Sequence, residues 1–448
     1  MSLFRPTFWN RSLLVPACLL TSLLGCDSTN RGSVQSDAET VAAPAPTATP
    51  TPPPAEPDDA ASVKTLEEAG ATLITNTDGN TTTLSLSLDQ PNSEALAALA
   101  GLHQVTELNL SGVAMSDEGL EVLAGLDSVR RLDLSESKIG DDTLAHVGQM
   151  TNLEVLELRR TSATDAGLEK LQSLSKLRAI DLRRSNVSDA GMKHLSAIST
   201  LADIQVERGD VTDDGVIAVA DLPLRNLNVN TCTSISNAAL AALSKTKTLR
   251  GLQMDNTAVN DEGVKQLGGL PELSRLRIRY TNVGTEGLSA LKNSPAMARL
   301  ELRDTPVDDD VMDVFANLPK LSHLELAECR ILTPEGLAKI GGLKNLEYLD
   351  LWETKTNDEA LSQFGGLTKM KNLNLKATAI TDASVDAILE MKELETINLS
   401  GTSLGDESFR AIGMLPKLKR MEAVNTQIGF DVVDELKEAK PDMEVIDY

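Results

Sequence analysis

The sequence predicts an α/β solenoid in which parallel β-strands form one face and short helices form the other. A pattern of two aliphatic residues separated by one residue, followed three residues later by Thr, Ser or Cys, recurs about every 24 residues. Each such segment alternates apolar and polar residues, as strands do. The second half of each unit begins with Thr or Ser before Asp and then carries leucines at helical spacing. Because one unit cannot bury its own leucines, stacked neighbours must bury them together.

The repeats extend from residue 84 to the end of the chain. Residues 156–161 (Leu-Glu-Leu-Arg-Arg-Thr) and residues 300–305 (Leu-Glu-Leu-Arg-Asp-Thr) show the pattern. Its first aliphatic position occurs sixteen times, at Leu84, Leu108, Leu132, Leu156, Ile180, Ile204, Leu227, Leu252, Leu276, Leu300, Leu324, Leu349, Leu373, Ile397, Met421 and Val445. This regularity predicts one continuous array rather than several globular domains.

The longer motif L-x-x-L-x-L-x-x-T, as in residues 153–161, resembles the signature of the leucine-rich-repeat family. The resemblance covers about residues 80 to 448, and the repeat length is similar to the cysteine-containing class of the family rather than to the shorter internalin type. It implies a horseshoe with the parallel sheet on the concave face and the short helices on the convex face. Such solenoids use the concave face for binding.

Residues 1–25 have the features of a secretory signal, because Arg5 and Arg11 precede a short apolar run. The run is too short and too broken to be a good membrane-spanning helix. Its end, Leu-Leu-Gly-Cys at residues 23–26, resembles the lipobox of bacterial lipoproteins. The resemblance implies cleavage before Cys26 and lipid attachment to its sulfur. We therefore expect an exported protein held by this lipid alone, on the periplasmic side of the envelope or at the cell surface. A secretory signal with an incidental cysteine is the alternative.

Three further regions follow the signal. Residues 26–60 are rich in Pro, Ala and Thr, which predicts an extended, disordered linker after the lipidated cysteine. Residues 61–83 predict an N-terminal cap made of a helix and a hairpin that turns at Asp78-Gly79. This cap would cover the otherwise open first strand. Residues 84–448 then contain the repeat array and a C-terminal cap.

The composition disfavours several functions. With 42 Lys and Arg against 66 Asp and Glu, the net charge of −24 disfavours nucleic-acid binding, which needs cations to neutralise phosphates. Cys232 and Cys329 are four units apart, about 20 Å at the spacing of parallel strands, so we expect free thiols. The sequence contains no Walker loop, zinc-protease motif, nucleophile elbow or dinucleotide fingerprint. We therefore predict no enzyme, no cofactor and no metal site.

An aspartate recurs where each helical half begins. The column contains Asp117, Asp141, Asp165, Asp189, Asp213, Asp261, Asp309, Asp358, Asp382 and Asp406. Carboxylates in the first turn stabilise a helix N-terminus, which is our main interpretation of this column. Calcium binding by the stacked carboxylates is the alternative.

Arginines and aromatic residues are concentrated beside the paired aliphatic residues, where strand periodicity predicts outward-pointing side chains. The candidate binding residues are Arg159, Arg160, Arg183, Arg184, Arg208, Arg277, Arg279, Tyr280, Arg303, Tyr348 and Trp352. Acidic residues run beside them, so ion pairing between neighbouring strands is one interpretation. The other is a surface that binds a protein, because Trp, Tyr and Arg dominate interface hot spots and Arg binds carboxylates with two hydrogen bonds.

These features favour a non-enzymatic, lipid-anchored extracytoplasmic protein that is monomeric and binds a protein partner of unknown identity through its concave sheet. Three alternatives remain at this stage. A binder of envelope polysaccharide would stack sugars on the exposed aromatic rings. A structural component of the envelope would have no discrete partner. An F-box-like ubiquitin-ligase adaptor is related to the cysteine-containing repeat class, but no F-box precedes the repeats and the signal favours export.

Overall fold

The computed structural model describes residues 56–88 and 90–447. This part of the chain contains one sheet of 17 strands and a series of short helices. None of its helices has the length and apolar character that crossing a membrane requires. The predicted signal at residues 1–25, the predicted lipid site Cys26 and most of the predicted linker lie outside the described residues.

The strands are β1 Thr72–Thr75, β2 Thr81–Ser85, β3 Glu107–Asn109, β4 Arg131–Asp133, β5 Val155–Glu157, β6 Ala179–Asp181, β7 Asp203–Gln205, β8 Asn226–Asn228, β9 Gly251–Gln253, β10 Arg275–Arg277, β11 Arg299–Glu301, β12 His323–Glu325, β13 Tyr348–Asp350, β14 Asn372–Asn374, β15 Thr396–Asn398, β16 Arg420–Glu422 and β17 Glu444–Ile446. The α-helices are α1 Ala60–Glu68, α2 Ser93–Ala98, α3 Asp141–Val147, α4 Asp165–Glu169, α5 Asp189–Leu195, α6 Asp213–Val219, α7 Asn237–Leu243, α8 Asp261–Val264, α9 Thr285–Leu288, α10 Val311–Phe315, α11 Pro334–Ala338, α12 Asp358–Leu361, α13 Val385–Leu389, α14 Asp406–Gly413 and α15 Phe430–Ala439. Short 3₁₀ helices cover Leu99–Gly101, Leu120–Gly125, Lys265–Gly269, Ser289–Asn293, Lys339–Gly342, Ser362–Gly366 and Asp382–Ser384.

A helix and an antiparallel hairpin precede the parallel strands. Helix α1 begins after Asp59, whose carboxylate accepts the backbone N–H of Ser62 at 3.0 Å. Strand β1 pairs antiparallel with β2, so that Leu73 lies opposite Leu84. Gly79 in the connecting turn has a φ of 85°, a left-handed conformation that glycine adopts without steric cost. Strand β1 therefore covers the side of β2 on which no earlier repeat unit lies.

From β2 to β17, each strand pairs in parallel with the next strand along the chain. The aliphatic centres stay in register: Leu84 lies beside Leu108 at one end, and Met421 lies beside Val445 at the other. These aliphatic side chains pack against the helical halves in one continuous core. The sheet is open, and its pairing follows chain order. The predicted α/β solenoid, with a parallel sheet on one face and short helices on the other, is confirmed.

Strands β3 to β17 are three residues long, and positions in each unit are numbered here from the central aliphatic residue of its strand as position 0. In the unit of β5, Leu156 at position 0 and Leu158 at +2 are buried, whereas Glu157 at +1 and Arg159 at +3 are partly exposed. Side chains at −1, +1 and +3 therefore form one surface, called the sheet face below. Backbone pairing continues past the strand, because the N–H of Leu158 donates to the carbonyl of Asp181 at 2.8 Å.

The residue at +4 adopts a left-handed backbone in most units. Its φ is 54° in Arg160 and 63° in Arg208. A left-handed turn ends the strand and sends the chain towards the helical half. The hydroxyl at +5 then donates to the carbonyl three residues earlier in its own unit, as Thr161 does to Leu158 at 2.8 Å. In most units the polar side chain at +5 is thus buried with its hydrogen bond satisfied.

The recurring aspartates connect neighbouring units. Asp165 is the first residue of α4, as the helix-start interpretation predicts. Its carboxylate, however, accepts the backbone N–H of Ser188 at 2.9 Å and the hydroxyl of Ser188 at 2.5 Å. Ser188 is the N-cap residue of α5 in the next unit. Asp189 makes the same pair of contacts with Thr212, so each aspartate fixes the helix start that follows it.

A glycine two residues after the aspartate makes room for this contact. A Cβ atom on Gly191 would lie 2.3 Å from Oδ1 of Asp165 and 2.8 Å from Cγ1 of Val187. On Gly215, it would lie 2.5 Å from Oδ1 of Asp189. The motif Asp-x-Gly therefore has two roles. The aspartate binds the next unit, and the glycine leaves room for the aspartate of the previous unit.

We expect Gly191→Ala to destabilise the protein by about 1–3 kcal/mol, because the new methyl group would displace the Asp165 carboxylate. Helix propensity alone predicts the opposite sign, since alanine is favoured over glycine inside helices. The measurement is urea unfolding followed by circular dichroism. Gly342→Ala is the control, because a Cβ there meets no atom within 4 Å. A Gly191→Ala variant that is as stable as Gly342→Ala would contradict this explanation.

Candidate functional site

The structure distributes the predicted binding residues over three kinds of position. Within strands lie Arg277 of β10 and Tyr348 of β13. At +3 on the sheet face lie Arg159, Arg183, Arg279, Arg303 and Trp352. In the left-handed turn at +4 lie Arg160, Arg184, Arg208 and Tyr280. The prediction of an outward strand position is wrong for these four residues, because the strand ends before them and the turn places them at the edge of the sheet. The role of these residues in binding stays a prediction.

Charged residues of β10 to β13 form a central cluster, defined as Arg277, Arg279, Glu301, Glu325 and Asp350. The guanidinium of Arg279 donates to Glu301 at 2.6 Å and also pairs with Glu325. Arg277 lies 3.5 Å from the same Glu301 carboxylate. The side chains of Glu301 and Glu325 are only 3% and 5% exposed. Ion pairing between neighbouring strands, one of the two interpretations of this face, is therefore present in the central cluster.

The strand register places three carboxylates side by side. Glu301 lies beside Glu325, and Glu325 lies beside Asp350. Burial raises the pKa of Glu325 to about 7, with the Glu301 and Asp350 charges adding to the effect, although Arg279 opposes it. Burial also raises the pKa of Asp350 above its ordinary value. The cluster therefore takes up a proton near neutral pH at Glu325.

Glu301 behaves differently because several arginines surround it. Burial alone would raise the pKa of Glu301, but Arg299, Arg279 and Arg277 together hold it below its ordinary value. Glu301 is thus held in its ionised form, and the guanidinium of Arg279 bridges it to Glu325.

An aromatic stack adjoins the cluster. The rings of His323 on β12 and Tyr348 on β13 stack face to face, with centroids 3.8 Å apart and planes inclined by 11°. Burial lowers the pKa of His323 to about 3, and the positive charge of Arg299 adds to this effect. Burial likewise raises the pKa of the Tyr348 hydroxyl above its ordinary value. Both rings are therefore neutral at physiological pH, and each covers one face of the other.

Arg303 lies between two aromatic side chains. Its guanidinium carbon is 4.1 Å from the ring centroid of Trp352 and 5.3 Å from that of Tyr280. Lys376 places its ammonium 5.1 Å from the centroid of Trp352. Arg303 belongs to the unit of β11 and Lys376 to that of β14. The ring of Trp352, in the unit of β13, therefore contacts one cation from an earlier unit and one from a later unit. Ala327, the small +3 residue between Arg303 and Trp352, leaves the space for their contact.

The remaining predicted arginines lie further along the sheet. Arg159 and Arg160 both pair with Glu136, at 3.0 and 3.1 Å. Arg183 binds Asp181 through two nitrogens, at 2.9 and 2.6 Å. Arg184 and Arg208 are exposed, and their side chains form no hydrogen bond or ion pair with any residue that the structure describes.

The cysteines do not form a reactive centre. Cys232 and Cys329 are buried as free thiols, as the sequence predicts. Burial raises the pKa of the Cys329 thiol to about 11, so it is protonated and a poor nucleophile. Across residues 56–88 and 90–447, no group of three or more His, Cys, Asp or Glu side chains is arranged to hold a metal ion.

The aspartate column is occupied by hydrogen bonds. In Asp189, one carboxylate oxygen accepts the backbone N–H groups of Thr212 and Gly215, at 2.8 and 3.0 Å. The other accepts the Thr212 hydroxyl at 2.7 Å. A calcium ion would have to replace these contacts between units. The helix-start interpretation, extended to the next unit, accounts for the column without an ion.

We expect the stability of the protein to fall as pH rises from about 4.5 to 7, by about 1–3 kcal/mol from Glu325 alone. The sign follows from the raised pKa: the folded state keeps the Glu325 proton in this range, whereas the unfolded chain releases it. In Glu325→Gln this contribution should vanish. The measurement is the free energy of unfolding in urea at a series of pH values. In the control Glu395→Gln the slope should persist, because Lys419 holds the pKa of Glu395 below its ordinary value. Identical pH dependence in the wild type and Glu325→Gln would refute the assignment.

Comparison with known proteins supports the repeat fold. Residues 102–124 match the sequence model of a family described as Leucine Rich repeat. A search of the curated proteins gives no significant match. Among solved structures, a leucine-rich-repeat protein of Leptospira interrogans, LIC12759, is 18% identical with a TM-score of 0.51, and the match covers 80% of this chain and 93% of that one.

Two further structures are similar. Rad7, solved as a complex with Elc1 in yeast, is 16% identical with a TM-score of 0.51, and the match covers 75% of this chain and 84% of that one. An internalin from Listeria monocytogenes is 16% identical with a TM-score of 0.43, and the match covers 87% of this chain and 95% of that one. Together with the open parallel sheet and its helical second face, the family match and the similarity to LIC12759 show that this chain has the fold of a leucine-rich-repeat solenoid.

Proposed function

We propose that this protein is a non-enzymatic, lipid-anchored extracytoplasmic scaffold that binds a protein partner through its sheet face. A leucine-rich-repeat fold is typical of interaction scaffolds, because its rigid sheet offers a broad surface. In one similar structure, Rad7 is in complex with Elc1, so a related solenoid associates with another protein. No cofactor is required for this role.

The observation that carries the proposal is the arrangement of Trp352, Arg303 and Tyr280. These are the residue types that dominate binding hot spots. The cation–π contacts of Arg303 with both rings hold the three side chains in place before any partner arrives. Preorganised side chains lose less conformational entropy on binding, so more of the contact energy becomes affinity. The stacked rings of His323 and Tyr348 lie nearby on β12 and β13.

The same contacts make polysaccharide binding the weaker alternative. A sugar ring would stack on the face of an aromatic ring, but the Arg303 and Lys376 cations already lie over the ring of Trp352. Tyr280, 42% exposed, is the more accessible ring. One accessible ring at the sheet edge gives a sugar chain little to stack on, whereas a protein surface can use the cations as well as the rings.

The lipid anchor is proposed from the sequence. The Leu-Leu-Gly-Cys motif ending at Cys26 and the apolar run before it support cleavage and lipid attachment. About thirty linker residues at about 3.1 Å each would hold the solenoid up to about 90 Å from the membrane. A protein partner in the same compartment could then reach the sheet face.

We expect a photocrosslinking amino acid at Glu353, next to Trp352, to capture a defined protein in intact cells, and the same group at Lys193 of α5 not to do so. Trp352→Ala combined with the Glu353 probe should lower the crosslinked yield about tenfold or more, because a central hot-spot aromatic is lost. The measurement is the yield of the crosslinked species, identified by mass spectrometry. Equal capture from both positions, or capture that survives Trp352→Ala, would contradict the proposal.

We expect cells supplied with labelled palmitate to incorporate the label into the wild-type protein and into Cys18→Ala, but not into Cys26→Ala. Acyl chains would be attached only at the cysteine of the lipobox. The measurement is label per immunoprecipitated protein. Label that persists in Cys26→Ala, or an unlabelled wild type, would rule out the anchor.

A further inference from the structure

Three arginines form a row along the edge of the sheet face. Arg160, Arg184 and Arg208 occupy the +4 position of three consecutive units. The backbone N–H of Arg160 donates to the carbonyl of Arg183 at 3.0 Å, and that of Arg184 donates to the carbonyl of Glu207 at 2.9 Å. These ladder contacts hold the three backbones at the spacing of parallel strands, about 4.8 Å per unit.

Backbone stability does not explain arginine at these positions. The φ values of Arg160, Arg184 and Arg208 are 54°, 59° and 63°. Glycine and asparagine adopt this left-handed conformation more readily, and Gly112 and Asn256 stand at +4 elsewhere in the same column. Glu136, Thr231 and Ala377 share this conformation at +4, so the turn accepts many side chains and does not itself select arginine.

The local charge supports a role outside folding. We define the Arg edge patch as Arg159, Arg160, Arg183, Arg184 and Arg208. Of the six residues at +3 and +4 in the units of β5, β6 and β7, these five are arginines and the sixth is Glu207, in a chain whose net charge is −24. Glu136 neutralises part of the charge of Arg159 and Arg160, and Asp181 neutralises Arg183.

Two members of the patch keep their full hydrogen-bonding capacity. Arg184 and Arg208 are exposed, with no hydrogen bond or ion pair to any side chain within the described ranges. A guanidinium presents its donors in a fork that matches a carboxylate. Ion pairs of this kind with two hydrogen bonds are among the stronger polar contacts.

We propose that the Arg edge patch binds an acidic, extended segment of the partner protein, with Arg184 and Arg208 each holding one carboxylate. This inference rests on the proposed function and specifies its partner. Alternate side chains of an extended segment are about 6.6–6.8 Å apart. Two flexible arginine side chains rooted about 4.8 Å apart reach that separation.

The test is the binding of a fluorescein-labelled hexaglutamate peptide to the full chain, followed by fluorescence anisotropy. We expect salt-sensitive binding that Arg184→Asn with Arg208→Asn weakens about tenfold or more, since two charge-assisted contacts are lost. Asparagine suits the left-handed turn, so the double variant should be at least as stable as the wild type. The control Lys193→Gln with Lys437→Gln removes two positive charges from helices α5 and α15 and should change the affinity less than twofold.

The outcomes separate this inference from the proposed function. Peptide binding that is absent, or that falls equally in both double variants, overturns the inference. A sulfated oligosaccharide that displaces the peptide and binds more tightly also overturns it, in favour of an anionic glycan. The peptide reports on the Arg edge patch alone, because this patch belongs to the units of β5 to β7, many strands away from Trp352 on the unit of β13. Crosslinking from Glu353 can therefore fail while the peptide result stands, and the reverse also holds.

Discussion

The structure depends on one constraint: a repeat unit of this length buries its aliphatic side chains only against its neighbours. Leu132 and Leu156 are fully buried because each lies between adjacent units of the stack. Directional contacts add to this packing, above all the aspartate of one unit that binds the N-cap residue of the next. Because these contacts repeat with the same register, neighbouring units can stack in only one alignment, and every side chain keeps its column.

The fixed register determines the chemistry of the sheet face. Side chains at the same position of successive units lie directly beside one another across the sheet. Residues of like charge therefore become neighbours even where they repel each other. Glu301, Glu325 and Asp350 illustrate this, since the sheet brings three carboxylates together and Arg279 compensates only part of the repulsion. The contact of Arg303 with Trp352 spans two units and passes the small residue Ala327 between them. The surface is therefore rigid and chemically varied, as a binding surface requires.

The fold was predictable because aliphatic residues recur along the sequence at the length of one repeat unit. Helix starts at Asp165 and Asp189 followed from capping rules. Contacts between units were not predictable in the same way. That Asp165 binds Ser188, and that Gly191 must lack a side chain, depends on the distance between helices. Tyr280 was predicted in a strand, but its left-handed backbone places it in a turn. Burial of Glu325, and hence its raised pKa, also required the neighbouring side chains in three dimensions.

The central claim is that the sheet face is the surface that a partner covers. Its most direct test is cysteine accessibility: a single cysteine at Lys376 on the sheet face or at Lys193 on helix α5 reacts with a maleimide, in intact cells and in the purified protein. Cys232 and Cys329 are buried and should react slowly. The account predicts that cells protect the cysteine at position 376 several-fold and leave the one at position 193 as reactive as in the purified protein. Equal reactivity of position 376 in both settings, or protection confined to position 193, would contradict it.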